Sequence, residues 1–208
     1  MHIVVAGNIG SGKTTLTNLL ARHYGWIPRF EPVENNPYLD DYYKDINRWS
    51  FNVEVFFLKQ RFLAMLEISH TKKTVIQDRS IYEGVYVFTA NNKAMGNLSD
   101  RDFNTYMDLF DSMMMIVRPP QLMIYLRSSV PHLVNNIERR GRKCEESMSI
   151  EYLQNVNGRY DDFIFHQYTG DVLVIDVDHI DFLHNPKDLG DIIDKIDARL
   201  YGFFQNSK

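Results

Sequence analysis

Eight consecutive residues, Gly7-Asn8-Ile9-Gly10-Ser11-Gly12-Lys13-Thr14, fit the pattern G-x-x-x-x-G-K-[ST] without a gap. The chemistry of that spacing is anion binding. Glycines let backbone N–H groups close on a phosphate, and a helix that starts where the loop ends adds the partial positive charge of its N-terminus. The lysine reaches β- and γ-phosphates, and the hydroxyl after it suits Mg²⁺. Gly7, Asn8, Ile9, Gly10, Ser11, Gly12, Lys13, Thr14 and Thr15 are therefore the expected phosphate-binding residues, with Thr14 also a metal ligand.

Three further constellations carry charge that such a loop can use. Glu31 stands before Pro32, which biases it toward an extended conformation at a strand end. A carboxylate there can accept a proton from an attacking hydroxyl; the alternative is a helix cap or a surface acid. Asp78-Arg79-Ser80 follows an apolar run. Asp78 is a candidate for Mg²⁺ and Arg79 for the transferring phosphoryl group, against a capping role for Asp78 or Ser80. Finally, Glu138-Arg139-Arg140-Gly141-Arg142-Lys143 gathers four cations around one glycine in an otherwise acidic chain. Guanidinium groups suit charge spread over three phosphoryl oxygens, and Gly141 would hinge the segment as a lid over about 137–148. A solvated basic turn is the plainer alternative.

These residues need a scaffold that brings strand ends together. Strand-like runs fall at 3–6, 74–77, 122–126 and 172–177, with a weaker one at 26–30. Helical patterns lie between them, at 15–24, at 49–70 and in a closing helix at 186–204. Alternation of strands and helices implies an α/β fold with a parallel sheet covered on both faces. Pro119-Pro120 separates a helix bearing Met113-Met114-Met115 from the strand that follows, and the methionines read as core filler. With 208 residues, no repeat and no low-complexity linker, a single domain over 1–208 is expected. The net charge of −4 gives no global basic footprint for nucleic acid. A single cysteine, Cys144, excludes an intramolecular disulfide. No run of about 18 apolar residues could span a bilayer, and no signal-peptide pattern precedes the first strand. A reducing, cytoplasmic setting is expected.

Taken in order, the landmarks resemble the deoxyribonucleoside kinase family of deoxycytidine, deoxyguanosine and deoxyadenosine kinases, in its bacterial form. The resemblance runs through Glu31-Pro32-Val33, Arg48-Trp49-Ser50-Phe51, Asp78-Arg79-Ser80, Arg140-Gly141-Arg142, Glu145-Glu146 and Glu151-Tyr152-Leu153, and covers essentially the whole chain. It implies a P-loop kinase fold: a five-stranded parallel sheet flanked by helices, with an arginine-rich lid, usually paired as a homodimer. It also implies an activity, transfer of the γ-phosphoryl of ATP, with Mg²⁺, to the 5′-hydroxyl of a deoxynucleoside for nucleotide salvage. On the family pattern Glu31 is the base, Arg79 binds beside the same oxygen, and Tyr43 and Glu145 hold the sugar 3′-hydroxyl. Phe88 stacks on the nucleobase, and Arg140 and Arg142 serve the lid. Related enzymes carry one more lid arginine where this chain has Asn136.

The base reader is where the chain departs from its resemblance. Well-known relatives place a glutamine where this chain has Glu54. Helical spacing puts Glu54, Phe57, Leu58 and Arg61 on one stripe. A carboxylate among aromatics needs a partner, either Arg61 or a base. Because an ionised carboxylate only accepts hydrogen bonds, amino-bearing bases are expected to be preferred, and the resemblance to bacterial members of the family implies purines over pyrimidines. Two other readings compete: a nucleoside monophosphate kinase of similar fold, whose acceptor phosphate Glu31 would repel, and a non-catalytic nucleotide-binding accessory protein. A nucleic-acid-dependent ATPase fits the net charge and size less well.

Overall fold

The computed structural model describes residues 1–30, 36–141 and 149–202. Five parallel strands make one sheet in the order β2-β3-β1-β4-β5: β1 (His2–Gly7), β2 (Ile27–Arg29), β3 (Val75–Asp78), β4 (Leu122–Arg127) and β5 (Val172–Asp176). The sheet is the one expected, and even the weak run at 26–30 supplies an edge strand. Every residue of β1 is buried, because helices cover both faces and a continuous apolar run is the pattern of such a strand.

Alternation along the strands divides the core in two. Ile3, Val5 and Ile124 face one layer, where they meet Leu16 and Leu20 of α1 (Lys13–Tyr24) and Ile192 of α9 (Pro186–Tyr201). Val4, Ala6, Met123 and Tyr125 face the other, against Val156 and Tyr160 of α8 (Ile150–Asp162). A third cluster joins Leu58 and Met65 of α3 (Ile46–His70) to Tyr106 and Phe110 of α6 (Asp100–Met114). Short α2 (Leu39–Lys44) precedes α3. The helix that follows β3 is irregular. α4 (Ile81–Glu83) passes through a π-helical stretch (Gly84–Thr89) into α5 (Ala90–Ala94), a distortion frequent at functional sites. α7 (Val130–Arg140) follows β4 and ends on Gly141, whose φ of +62° caps it in the left-handed region. Gly141 thus has a stop role in addition to the hinge expected of it.

One expectation fails in part. Met113 and Met114 pack against the third cluster, but Met115 is 88% exposed. α6 stops at Met114, five residues before Pro119, so the last methionine leaves the helix and its apolar stripe together.

Candidate functional site

β1 lies at the centre of the sheet, with β3 on one side and β4 on the other. Ligands of open α/β sheets bind beyond the carboxyl ends of strands at such a switch in direction. The register pairs Val5 with Asp78, so β3 ends two residues short of Gly7, at the same end of the sheet. Gly7–Thr14 begins there.

The glycines of this loop answer to crowding. Gly10 and Gly12 have φ of +87° and +90°. A Cβ on Gly10 would sit 2.8 Å from the Leu133 carbonyl oxygen, and one on Gly12 would sit 2.8 Å from the Phe182 ring. The loop is thereby wedged between α7 and the segment after β5. Gly12 also caps α1 without any side-chain hydrogen bond, and the first turn holds no acid. Its N–H groups remain suited to an anion. The Lys13 Nζ and the Ser11 N–H both donate to the Asn8 carbonyl, at 2.9 and 3.2 Å. Across the strand ends, the Thr14 hydroxyl donates to Asp78 Oδ2 at 2.5 Å. A hydroxyl and a carboxylate oxygen at the mouth of a phosphate loop are hard donors of the kind Mg²⁺ takes.

Three asparagines tie the loop to the elements around it. Asn8 Nδ2 donates to the Leu153 carbonyl (3.1 Å) and to Asn157 Oδ1 (3.0 Å) on α8. Asn157 Nδ2 in turn donates to the Ser128 carbonyl at 2.8 Å. Asn136, standing where relatives carry a lid arginine, donates to the Gly10 carbonyl at 2.9 Å. That bond ties α7 to the loop.

Arg79 occupies a strained turn. Its φ is +69°, the one positive value among described non-glycine residues, a conformation costing about 1–3 kcal/mol. Its N–H donates to the Val5 carbonyl, and its guanidinium lies 4.3 Å above the Phe88 ring. Phe88, expected as the base-stacking aromatic, therefore carries Arg79 on one face and meets the Tyr160 ring edge-on at 6.2 Å. Ser80, not Asp78, is the helix cap. It forms a capping box with Glu83.

Glu54 is 6% exposed. Its two oxygens accept from the Thr89 hydroxyl at 2.8 Å and from Asn92 Nδ2 at 2.7 Å. Helical spacing could not name those partners, since they come from the irregular helix after β3. Burial, with the charge of Glu54 adding to it, pushes Tyr42 up to about 12 and raises Tyr106 and Tyr152 as well, so the three phenols keep their protons. Arg61 lies on the same stripe of α3, with its guanidinium 5.3 Å from the Phe57 ring. It passes directly over Gly84, where any Cβ would collide with it. Arg61, Arg79, Phe57 and Phe30 line one cavity of about 200 Å³.

Other expected residues fare differently. Tyr43, on α2, is 57% exposed and meets Tyr42 edge-on at 5.5 Å. Arg140 is exposed at the end of α7. Ile9 and Thr15 fall in the loop and the first turn of α1 as expected. Glu31, Arg142 and Glu145 lie outside the described residues. Glu83, fully buried, was not singled out from the sequence, although Ser80-x-x-Glu83 is a legible capping-box signature.

Known proteins are similar to this chain over most of its length. The family model described as Deoxynucleoside kinase matches residues 3–200. A deoxyadenosine/deoxycytidine kinase of Bacillus subtilis (strain 168) is 36% identical over 196 residues, covering 93% of this chain and 90% of that protein. A deoxyguanosine kinase of the same organism is 35% identical over 194 residues, covering 89% and 91%. Among solved structures, a deoxyadenosine kinase from M. mycoides with the products dCMP and a flexible dCDP superposes with a TM-score of 0.83 at 27% identity, over 95% of this chain and all of that one. The same enzyme with bound dATP gives 0.82 at 28% identity and the same coverage.

Proposed function

The chain belongs to the deoxynucleoside kinase family, a family of phosphotransferases, and we propose that it moves the γ-phosphoryl of ATP onto the 5′-hydroxyl of an amino-bearing deoxynucleoside, a purine before a pyrimidine. The observation that carries the reading lies at the carboxyl ends of β1 and β3, where Asp78 bonds Thr14 of the phosphate loop and the next residue, Arg79, lines a cavity with Arg61. A phosphate loop closes on Lys13 and Thr14, and a buried acceptor, Glu54, shares a cavity-lining helix with Arg61 beside Arg79.

In this reading Lys13 and the N–H groups of the loop and of the first turn of α1 hold the donor phosphates. Thr14 and Asp78 would hold Mg²⁺, which supplies neutralisation of phosphate charge when bound. Arg79 positions the reacting oxygen and meets the charge that develops on it. Glu31 takes the proton of the 5′-hydroxyl. Arg140 and Arg142 supply further cations from the lid, and Tyr43 with Glu145 holds the sugar. Stacking of a base on the Arg79-covered face of Phe88 requires the guanidinium to move aside, which would deliver it toward the sugar. Glu54 accepts from an exocyclic amine while Arg61 offers a donor beside it, and thymine has no exocyclic amine to give Glu54.

Exposed Leu63, Leu109, Met115 and Ile116 lie on or just beyond α3 and α6, which pack against each other. Exposed apolar side chains beyond the end of α6, Met115 and Ile116 above all, suit a homodimer interface. No helix among the described residues is long and apolar enough to cross a membrane. The test of the reading is ADP release with ATP, Mg²⁺ and each of the four deoxynucleosides. Turnover highest with deoxyadenosine or deoxyguanosine and lowest with thymidine supports it; thymidine as the best acceptor overturns the base assignment.

A further inference from the structure

Glu83 is 0% exposed and has no part in the chemistry above. Its carboxylate nevertheless reaches both halves of the site. Oε2 accepts the Ser80 N–H at 2.7 Å. Oε1 accepts the Tyr160 hydroxyl at 2.7 Å and the Gly7 N–H at 3.3 Å. Gly7 opens the phosphate loop, and Ser80 directly follows Arg79 in its strained turn.

We propose that Glu83 is a positioning residue: its buried carboxylate fastens the first N–H of the phosphate loop to the turn that carries Arg79, with the Tyr160 hydroxyl on α8 holding it in place. The two ends it joins lie on adjacent strands, β1 and β3, and would carry opposite partners of the transfer, donor phosphates and acceptor oxygen. Phosphoryl transfer depends almost wholly on such placement and on electrostatics. A misplacement of about 1 Å can cost roughly 10²-fold in rate.

α8 provides the third point. Leu153, Asn157 and Tyr160 stand at i, i+4 and i+7, one face of that helix. The first two receive Asn8 and the third reaches Glu83. Burial and the neighbouring Glu83 charge keep the Tyr160 phenol far above its ordinary range, so its proton is available for donation at any working pH. The strain at Arg79 needs an anchor on its C-terminal side, and the capping box supplies it.

Glu83→Gln is an exacting probe. The two backbone donors lie on opposite oxygens, so the amide NH₂ of glutamine must face an N–H whichever way it turns. Tyr160→Phe is the gentler variant, removing one donor without changing shape. Both are assayed for kcat, for KM of ATP and of the best deoxynucleoside, and for Tm. Glu83→Gln is expected to lower kcat at least about ten-fold, with both KM values within about three-fold. A folded Glu83→Gln protein whose kcat falls less than that, or whose loss is carried by KM alone, overturns the proposal, because a purely structural carboxylate moves Tm and not kcat. Should Glu83→Gln fail to fold, Tyr160→Phe decides: a kcat fall of about three-fold or more supports the role, and a smaller one overturns it. The proposal rests on the phosphotransferase reading, and wild-type turnover in the same assay separates a failure of that reading from a failure of this one.

Discussion

The Thr14 hydroxyl donates to the Asp78 carboxylate at 2.5 Å, bridging the start of α1 and the end of β3. The pair owes its geometry to sheet register, which sets Val5 beside Asp78 and so brings two residues 64 positions apart to one point. A hydroxyl and a carboxylate so placed are the oxygen pair expected to carry the metal.

Asp78→Asn keeps the hydrogen bond to Thr14 available but removes the charge. Turnover is expected to fall by about 10²-fold, on the scale of losing one preorganised electrostatic group. The Mg²⁺ concentration for half-maximal rate should rise with it. A Mg²⁺ titration of the variant checks this, and an unchanged half-saturation point would remove Asp78 from the metal site.

Much of this geometry was legible from local pattern. The glycine loop, its flanking strand and helix, and the Asp78-Arg79-Ser80 turn are each set by residues within about ten positions, where spacing reports structure directly. Glu54 was legible as a buried carboxylate in need of a partner. Thr89 and Asn92 were not legible as its partners, because they belong to a helix whose π-helical segment shifts the faces that a 3.6-residue period assigns. Glu83 shows the reverse case. Its capping box with Ser80 is written in the sequence, whereas its bonds to Gly7 and Tyr160 depend on how the sheet and α8 come together. Met115 misled because a methionine run looks equally apolar inside a helix and just past its end.

Glu54→Gln preserves shape and can still be seated, since the Thr89 hydroxyl is able to accept from the new amide. The expected result is a change of rank in kcat/KM among the four deoxynucleosides, with the preferred amino-bearing base losing about 10-fold or more while thymidine loses less. Losses equal on all four would show that Glu54 supports the pocket without reading the base.

Gly84→Ala places a methyl group where the Arg61 guanidinium lies. Overpacking of this kind costs about 1–3 kcal/mol. Because Arg61 lines the cavity beside Arg79 and Phe57, the cost should appear in the deoxynucleoside KM while the ATP KM stays put. Steady-state kinetics with each substrate varied in turn would reveal it; a change confined to the ATP KM would contradict this placement of Arg61.

His2 is pushed down to about 4 by burial, which outweighs the opposing hydrogen bond to Gln77. The unfolded chain therefore binds a proton that the fold refuses. Stability from this residue is intact above about pH 6.5 and declines as pH falls toward 4, by about 3 kcal/mol at most. Denaturant unfolding of wild type and His2→Gln at pH 7 and pH 4 measures it. The wild type should lose more of its stability between those two points, and equal losses would contradict a neutral buried His2.

The central claim is that the acceptor is a sugar hydroxyl and not a phosphate. Equal concentrations of deoxyadenosine and its 5′-monophosphate, mixed with ATP, Mg²⁺ and the protein, put the two acceptors in direct competition, and chromatography of the products reads the outcome. The expected product is the 5′-monophosphate formed from the nucleoside, lost by about 10²- to 10⁴-fold in Glu31→Gln. Accumulation of the diphosphate from the added monophosphate, with the nucleoside untouched, would contradict it.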